Sequence, residues 1–445
     1  MNDNVYDLIV VGGGPAGIMT ALTAKEKNPG FKVCLLESQS SIGKKLSITG
    51  GGRCNFTNAI DISDFFEHIV RNNKFLYSSL YSFTNNDLIE FIKRLGFNYV
   101  IEKKTSKVYL EGKRAVDFSE ALYIRLRKLN IDVFTNREVE GFDLMIEENN
   151  PDLVFKDNTL DLENNNYDFN SKDYLYEIMS GSKKYVSRNL VLATGGKSYP
   201  QLGSNGKFFE ILRKKGIEIE KPVQALSPIL IKESYFKDIP GISLQDICIS
   251  AKRLDGKKKS VKSISGDIVF THKGIGGPAA LKISSYINRN TKGYFLEVDF
   301  IPDMSKQEIR DLILKNRTKT LFGIMKKFFP SNFLKAVLIN CESVSESGFG
   351  FTVEKAANIS NYEIEIFIDF LKCCVLSPFS LEKIERSTIT SGGVSTKEID
   401  SSTMELKKFP GLFVVGEMID VDALTGGFNL QIAFSTGYLA GINVK

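Results

Sequence analysis

The sequence predicts an α/β fold in which a parallel sheet is interrupted by a long insertion. Residues 7–11 form a short apolar, β-branched run, residues 15–27 have a helical pattern, and residues 32–37 form a second apolar run. A strand, a helix and a strand in this order make a β-α-β unit with parallel strands and a right-handed crossover. Residues 221–300 instead carry short apolar runs separated by turn residues, and the first pattern returns after residue 385.

The remaining elements follow from the spacing of apolar residues along the chain. The further expected helices are 75–95, 115–129, 306–314, 320–329, 333–338, 364–373 and a last one from about 429 to 440. The further expected strands are 131–134, 189–193, 229–231, 247–249, 268–270 and 295–298. The last helix carries the small residues Ala433, Ser435 and Gly437 on one face, which would allow close packing.

These changes of pattern divide the chain into three parts. At roughly 150 residues per domain, a chain of 445 residues has room for more than one folding unit. We expect residues 1–205 and 385–445 to form one discontinuous domain, residues 206–302 to form a β-barrel-like subdomain, and residues 303–384 to form a helical subdomain. The stretch 147–173 is rich in Asn and Asp, which indicates a hairpin or meander with an elongated surface loop.

Composition argues against several classes of protein. Only two histidines, His68 and His272, are present, and none of the six cysteines forms a C-x-x-C pair, so we expect no metal centre. The net charge of +5 is mild and does not indicate a nucleic-acid-binding protein. Glycines and a proline break the apolar stretch 8–24, and the first residues lack the basic region of a signal peptide. We therefore expect a cytoplasmic protein with neither a membrane nor a nucleic acid as partner.

A glycine-rich turn follows the first strand and opens the first helix. It fits G-x-G-x-x-G, in which the glycines permit a tight turn, close approach to a pyrophosphate, and close helix packing. The turn consists of Gly12, Gly13, Gly14, Pro15, Ala16 and Gly17. Glu37 ends the second strand 20 residues after Gly17, followed by Ser38, and its carboxylate can accept both hydroxyls of a ribose. The turn and Glu37 together predict a bound dinucleotide without a 2′-phosphate, which leaves FAD and NAD.

Two later segments favour FAD over NAD. Residues 191–196 read as a strand that ends in a turn of small residues. Because its side chains are small, the backbone of this turn can lie close beside a bound dinucleotide. Residues 411–417 read as a turn, a buried strand, a glycine and an acid, and the last helix follows soon after. A helix N-terminus beside the N1–C2=O edge of a flavin would stabilise its reduced, anionic form. The residues concerned are Ala193, Thr194, Gly195, Gly196, Gly416, Glu417, Asp420, Gly426 and Gly427.

Five strings in chain order resemble one family of bacterial flavoenzymes. The longest, residues 43–58, reads GKKLSITGGGRCNFTN, and the others lie at 193–200, 271–278, 392–394 and 416–431. The set is similar to the FAD-dependent oxidoreductases called aminoacetone-oxidase-like, some of which are assigned as bile-acid enone reductases. The resemblance implies a Rossmann-like FAD-binding domain of the glutathione-reductase type with an inserted β-barrel and helical substrate part.

The resemblance also implies roles toward FAD. Lys44 and Lys45 would lie along the path of the pyrophosphate and ribitol, Val139 would bracket the adenine through its backbone, and Asp420 would hold the ribitol. The remaining implied contacts are a loop beside the isoalloxazine and two residues at its pyrimidine edge. These are Gly51, Gly52, Arg53, Cys54 and Asn55 for the loop, and Asn429 and Leu430 for the edge.

Three residues are candidates for the reaction itself. His272 lies in a glycine-rich turn, where it would either protonate or orient a substrate facing the flavin, or only hydrogen-bond the turn. Arg53 would hold an acidic substrate or the flavin. Cys54 would touch the flavin or simply pack, and it cannot run a dithiol cycle without a partner cysteine. Tyr199 is a further candidate for lining the pocket.

The sequence thus predicts an FAD-dependent oxidoreductase acting on a small organic substrate. A hydride would pass from an amine to flavin N5, or from reduced flavin to an enone with NAD(P)H as electron source. The chain carries no second glycine fingerprint, so either O₂ reoxidises the flavin or NAD(P)H binds transiently. Two other functions stay open, an RNA-modifying flavoprotein and a non-catalytic regulator that holds FAD.

Overall fold

The computed structural model describes residues 5–146, 155–156, 159–160, 174–255, 260–344 and 353–445. The chain forms two compact units, each with its own hydrophobic core. Unit 1 consists of Met1–Pro222 and Ile389–Lys445, and unit 2 consists of Val223–Thr388. None of the helices in the described ranges combines the length and the apolar character that crossing a membrane requires.

The strands and helices are numbered in chain order. The strands are β1 (Val5–Val11), β2 (Val33–Leu36), β3 (Asn55–Asn58), β4 (Ile69–Arg71), β5 (Tyr99–Ile101), β6 (Lys107–Leu110), β7 (Asp132–Phe134), β8 (Gly141–Ile146), β9 (Phe155–Lys156), β10 (Thr159–Leu160), β11 (Tyr174–Ser180), β12 (Lys183–Leu192), β13 (Ile219–Ala225), β14 (Ile229–Ile231), β15 (Ser243–Arg253), β16 (Ser260–Thr271), β17 (Gly274–Gly276), β18 (Tyr294–Asp299), β19 (Cys374–Leu376), β20 (Pro378–Leu381), β21 (Ile389–Val394), β22 (Leu412–Val414) and β23 (Asp422–Ala423). The helices are α1 (Pro15–Lys27), α2 (Phe65–His68), α3 (Tyr77–Ser82), α4 (Asn85–Arg94), α5 (Ala115–Lys128), α6 (Lys207–Lys214), α7 (Gly277–Ile287), α8 (Lys306–Lys315), α9 (Leu321–Met325), α10 (Ser331–Val344), α11 (Asn361–Cys373) and α12 (Phe428–Asn443).

The main sheet of unit 1 has the strand order β7-β2-β1-β12-β11-β8, with β22 also paired to β12. Strands β7, β2, β1, β12 and β22 run parallel, whereas β11 pairs antiparallel with β12, and β8 pairs antiparallel with β11. Strands β1, β2 and β22 are buried over most or all of their lengths, which explains their continuous apolar sequences. The predicted α/β class and its β-α-β unit are confirmed.

Helices α1 and α12 pack against each other in unit 1. A Cβ on Gly437 would lie only 2.3 Å from the carbonyl oxygen of Ala16, and a Cβ on Gly441 would lie 2.7 Å from the Cβ of Thr23. The two helix axes can therefore approach so closely only because α12 carries glycine at these points. Ser435 has a different role from the expected packing, because its hydroxyl donates to the carbonyl oxygen of Phe83 (2.6 Å).

Unit 2 contains an antiparallel sheet of order β19-β18-β15-β16-β17-β14-β20. The consecutive strands β19 and β20 pair with β18 and β14, so one segment of the chain, residues 374–381, reaches both ends of the path. Closure of the sheet as a barrel stays a prediction. Helices α8 to α11 contribute to the same core as these strands. Helix α7 was not predicted from the sequence, because Gly277 and Pro278 read as the end of a turn and instead begin a helix with proline in its first turn.

Two expected elements of unit 1 differ in detail. The helix expected over 75–95 is split into α3 and α4, because Thr84 forms a capping box with Asp87 and starts a new helix there. Of the stretch 147–173, the structure describes β9 and β10, which pair antiparallel as a hairpin would. The rest of that expected hairpin and loop lies outside the described residues.

Candidate functional site

The loops that follow β1, β2, β12 and β22 come together at one edge of the parallel sheet in unit 1. The backbone N–H of Gly12 donates to the carbonyl oxygen of Leu36 (2.8 Å), and the N–H of Val415 donates to that of Leu192 (3.1 Å). In open α/β sheets, ligands bind beside the carboxyl ends of the strands. This edge is therefore the first place to test for a dinucleotide site.

The glycine fingerprint has the geometry that its sequence predicts. Gly12 has a φ of +108°, and a Cβ there would lie 2.4 Å from the carbonyl oxygen of Ala193. A Cβ on Gly17 would lie 2.1 Å from the carbonyl oxygen of Gly12, so α1 packs tightly on its own turn. At Gly14, by contrast, no described atom lies within 4 Å of the Cβ position, and no described side chain caps α1. The helix N-terminus thus offers open, positively polarised N–H groups that fit a pyrophosphate.

Glu37 ties the turn of the fingerprint to the end of β2. Its carboxylate is only 8% exposed and accepts hydrogen bonds from the backbone N–H groups of Gly13 and Gln39, both at 2.7 Å. The hydroxyl of Ser38 also donates to it, at 3.1 Å. The carboxylate oxygens keep further lone pairs that fit the hydroxyls of a ribose. Glu37 would therefore hold both the loop and the cofactor.

The segment after β7 runs beside Glu37 and carries Val139. The backbone N–H of Arg137 donates to the carbonyl oxygen of Glu37 (2.8 Å), and that of Asn136 donates to Gln39 (2.9 Å). Val139 is buried at this strand end, where the role of bracketing an adenine stays a prediction. The buried Nε of Arg137 has no hydrogen-bond partner among the described residues. Arg137 was missed from the sequence, although a buried unpaired donor at this point fits a polar cofactor.

Replacing Glu37 by Ala is expected to weaken FAD binding by about 1–3 kcal/mol, which is roughly 5- to 150-fold, through lost charge-assisted hydrogen bonds. Part of this loss would come from the released N–H of Gly13. The measurement is the dissociation constant of FAD from reconstituted apoprotein. Glu177→Ala, on the far strand β11, is the control and should bind FAD like the wild type. Equal affinity for both variants would contradict the assignment.

The two lysines after β2 differ in their partners. Lys45 donates to the Ser198 hydroxyl (2.6 Å) and to a Glu417 carboxylate oxygen (2.7 Å), so its charge is already paired within the protein. Lys44 makes one longer hydrogen bond, 3.4 Å to the side chain of Gln39. Of the two, Lys44 is thus the better placed to meet an added phosphate. A direct contact of Lys45 with FAD, as the resemblance implies, would have to compete with its ion pair to Glu417.

The loop expected beside the isoalloxazine is tightly wound. Gly51 and Gly52 have left-handed backbone angles, with no described atom within 4 Å of either Cβ position. Cys54 also has a positive φ, of 57°, is fully buried, and burial raises the pKa of its thiol to about 12. A neutral, enclosed thiol favours packing over a nucleophilic role. Arg53 is exposed, and its guanidinium lies 4.5 Å from the ring centroid of Tyr109, so it remains accessible to an acidic ligand.

Asp420 is buried near the start of α12 and has a partner that the sequence did not suggest. The side-chain amide of Asn72 donates to its carboxylate (2.9 Å) and to its carbonyl oxygen (2.6 Å). This contact joins the segment after β4 to the segment before β23. The strands β4 and β23 themselves pair antiparallel. The expected role of Asp420 toward the ribitol stays a prediction.

The N-terminus of α12 has no described side-chain cap, so its first N–H groups can serve a ligand. The Asn429 amide donates to the Ala423 carbonyl oxygen (2.8 Å) and accepts from its N–H (3.0 Å). A contact of Asn429 or Leu430 with a flavin would therefore use the backbone. The amide of Asn55, oriented to satisfy both its groups, accepts from the N–H of Gly427 (3.1 Å) and joins the two loops.

His68 lies close to this helix end. Its ring stacks on that of Phe428 with centroids 4.4 Å apart and planes 10° apart. His272 lies exposed in the turn between β16 and β17 of unit 2. Its expected role beside a flavin stays a prediction.

Taken with the fold, the turn around Glu37 and the uncapped ends of α1 and α12 define a Rossmann-type dinucleotide-binding unit. The chain belongs to the family described as the HI0933-like protein Rossmann domain, whose model matches residues 6–443. The protein is an FAD-dependent oxidoreductase, and its residues in unit 1 fit FAD.

Three curated relatives align over nearly their whole lengths. A ribosomal RNA dihydrouridine synthase of Haemophilus influenzae is 28% identical over 98% of this chain and 98% of its own. A 3-dehydro-bile acid delta(4,6)-reductase of Clostridium scindens is 27% identical over 97% of each chain. A ribosomal RNA dihydrouridine synthase of Escherichia coli is 25% identical over 97% of this chain and 96% of its own. The resemblance stated from the sequence is thus supported at the level of a flavoenzyme family.

Proposed function

We propose that the protein reduces a carbon–carbon double bond conjugated to a carbonyl group. The observation that carries this proposal is the chemistry shared by the names of the full-length relatives. Making dihydrouridine saturates the C5–C6 bond of uridine, which is conjugated to the C4 carbonyl. A Δ4,6 double-bond system next to a 3-oxo group is likewise conjugated. One active-site chemistry serves both substrates.

The residues of unit 1 would divide this work among them. FAD, when bound, supplies hydride transfer at N5. Glu37 and the N-terminus of α1 would hold its ribose and pyrophosphate. The N-terminus of α12 would place positive partial charge beside the negative charge that reduction brings. Arg53, as an exposed cation on the 51–55 loop, would attract the carbonyl oxygen or an acidic group of the substrate.

Reduction of a small enone is the first form of this proposal, and His272 remains its candidate proton donor. A saturated product needs a hydride at the β-carbon and a proton at the α-carbon of the carbonyl compound. The imidazole of His272 is exposed, and imidazole is the side chain that most often transfers protons in enzymes. Cys54 is unsuited to this task because it is fully buried and its thiol pKa is raised to about 12.

A uridine within RNA is the second candidate substrate, and an exposed aromatic stack favours it. The rings of Phe66 and Tyr77 are stacked with centroids 4.2 Å apart, and Tyr77 and Tyr81 are stacked at 6.1 Å. Tyr77 and Tyr81 are 48% and 52% exposed. Exposed aromatic faces stack on unpaired bases in RNA-binding proteins. Residues 65–130 also hold 12 basic and 7 acidic residues, a surplus equal to the net charge of the whole chain.

The test measures reduction of the substrate independently of the natural electron donor, because dithionite reduces the flavin beforehand. The purified FAD-loaded protein is reduced with dithionite without O₂ and mixed with a 3-oxo-Δ4 steroid, with a ribosomal RNA transcript, or with buffer. We expect one of the two substrates to reoxidise the flavin at least about tenfold faster than buffer and to gain two hydrogens by mass spectrometry. Tyr77→Ala with Tyr81→Ala should slow only the RNA reaction.

Amine oxidation is the opposing outcome of the same experiment. In its second half, oxidised protein is mixed with aminoacetone or with other primary amines without O₂. Bleaching of the flavin by an amine, together with no reoxidation by either conjugated substrate, would overturn the proposal. NADH and NADPH are then compared as reductants of the oxidised protein, because the electron source is itself still a prediction.

A further inference from the structure

Four side chains from distant parts of unit 1 form one polar network at the sheet edge. The ammonium group of Lys45 lies 2.7 Å from Glu417 Oε2 and 2.6 Å from Ser198 Oγ. The Ser198 hydroxyl donates to Glu417 Oε1 (2.9 Å), and the backbone N–H of Thr390 donates to the same oxygen (2.9 Å). The Thr390 hydroxyl in turn accepts from the N–H groups of Lys197 (2.7 Å) and Ser198 (3.2 Å). Ser198, Glu417 and Thr390 are thus each hydrogen-bonded to the other two, and Lys45 binds to Ser198 and Glu417.

The network connects three loops and strand β21. Lys45 follows β2, Ser198 follows β12, Glu417 follows β22, and Thr390 lies within β21. Ser198 and Thr390 are almost fully buried, while the side chains of Lys45 and Glu417 are 23% and 22% exposed. The two charges are thus partly withdrawn from water and lie 2.7 Å from each other. Each charge of the pair therefore depends on the other.

The segment that the network holds has a strained backbone. Tyr199 directly follows Ser198 and has left-handed angles, with φ of 57° and ψ of 58°. Its successor is Pro200, and a residue before proline ordinarily adopts extended angles. Such a conformation at an aromatic residue is unfavourable and persists only when the surroundings enforce it. The ammonium of Lys45 lies 5.9 Å from the centroid of the Tyr199 ring.

We propose that Lys45 and Glu417 are positioning residues that clamp the 193–200 turn against the FAD site, and that neither is a direct ligand of the FAD phosphates. The clamp acts whichever substrate is reduced. A lysine that ligates the pyrophosphate would direct its charge toward the phosphate oxygens. The ammonium group of Lys45 is instead paired with the carboxylate of Glu417. The clamp instead presents a neutral pair, so it can order the turn without adding charge beside the flavin.

The two roles make opposite predictions for Glu417→Gln. If Lys45 binds phosphate, removing the competing carboxylate releases its charge and FAD should bind as tightly as before or more tightly. If Lys45 is part of the clamp, Glu417→Gln leaves an uncompensated ammonium group and FAD should bind more weakly. We expect Glu417→Gln and Lys45→Met each to weaken FAD roughly 5- to 30-fold, between the values for exposed and buried pairs. Lys45→Arg should retain most of the affinity.

The experiment is a double-variant cycle on the reconstituted full-length protein. The dissociation constant of FAD and the midpoint potential of the flavin are measured for Lys45→Met, Glu417→Gln and their combination. Because the single variants leave charges of opposite sign, their potentials should shift in opposite directions, and the double variant should recover part of both losses. The control is Lys252→Met, since Lys252 pairs with Glu297 at the same 2.7 Å and with similar exposure, 26% and 30%, in unit 2.

The outcomes are decisive in both directions. Weaker FAD binding in both single variants, partial recovery in the double variant and opposite shifts in potential support the clamp. Unchanged or tighter binding by Glu417→Gln overturns it and returns Lys45 to the phosphates. Losses that simply add, with no change in potential, also overturn it, because they would reflect general destabilisation. None of these results depends on substrate turnover, so failure of the proposed reaction would be seen separately.

Discussion

Removal of all residues after about position 410 is expected to abolish FAD binding, although the whole glycine fingerprint remains in the truncated chain. The lost segment includes β22, whose three residues are buried and pair in parallel with the end of β12. It also includes α12, which packs on α1 directly behind the fingerprint. The fingerprint would thus lose the strand and the helix that hold it in place.

The measurement is the amount of FAD that copurifies with the truncated and full-length proteins. Since a truncated protein can fail simply by unfolding, Gly437→Leu gives a milder form of the same test. A side chain there would meet the Ala16 carbonyl oxygen at 2.3 Å and force α12 away from α1. Gly30→Leu is the control, because no described atom lies within 4 Å of its Cβ position. Tight FAD binding by the truncated protein would show that the proposed discontinuous domain, residues 1–205 and 385–445, is wrong.

Local features of this fold were predictable from the sequence because their signals are local. Helix α1 has the predicted bounds, since proline at its start and Asn28-Pro29-Gly30 after its end are read from adjacent residues. The buried second halves of β1 and β12 are apolar runs that need no knowledge of their neighbours, whereas the exposed, polar first half of β12 was not predicted. The fingerprint is likewise a set of short-range requirements on backbone space, and Gly12 and Gly17 meet them.

Contacts between distant residues were not predictable in the same way. Lys45 and Glu417 are 372 positions apart, and neither periodicity nor spacing relates them. The sequence assigned both to the cofactor, whereas the structure pairs them with each other. Asn72, the partner of Asp420, lies in a segment without any distinctive pattern. The sequence can therefore indicate which polar residues lie near a glycine turn. It does not indicate which of them are already paired with one another.

Gly427→Val is expected to cause the largest loss of FAD among single substitutions at the flavin edge. We expect a side chain there to occupy the space of the flavin. A Cβ on Gly427 would in addition lie 2.3 Å from the carbonyl oxygen of Thr57 in β3. Gly427 also has a φ of +94°, which a β-branched residue adopts only under strain. Clash and strain together should cost roughly 2–6 kcal/mol.

The expected consequence is displacement of the start of α12 from β3, and with it a change in the field at the flavin. A helix N-terminus stabilises nearby negative charge by about 0.3–2 kcal/mol, and the effect is confined to the first turn. FAD that the variant retains should therefore have a lower midpoint potential than in the wild type. Ser263→Val, on an exposed position of β16 in unit 2, should change neither FAD retention nor potential.

If Gly427→Val lost stability but kept the wild-type potential in its remaining FAD, α12 would support the fold without facing the flavin. If the two variants behaved alike in both measurements, the placement of the flavin edge at α12 would be wrong, because the most crowded glycine at that helix end would then tolerate a side chain.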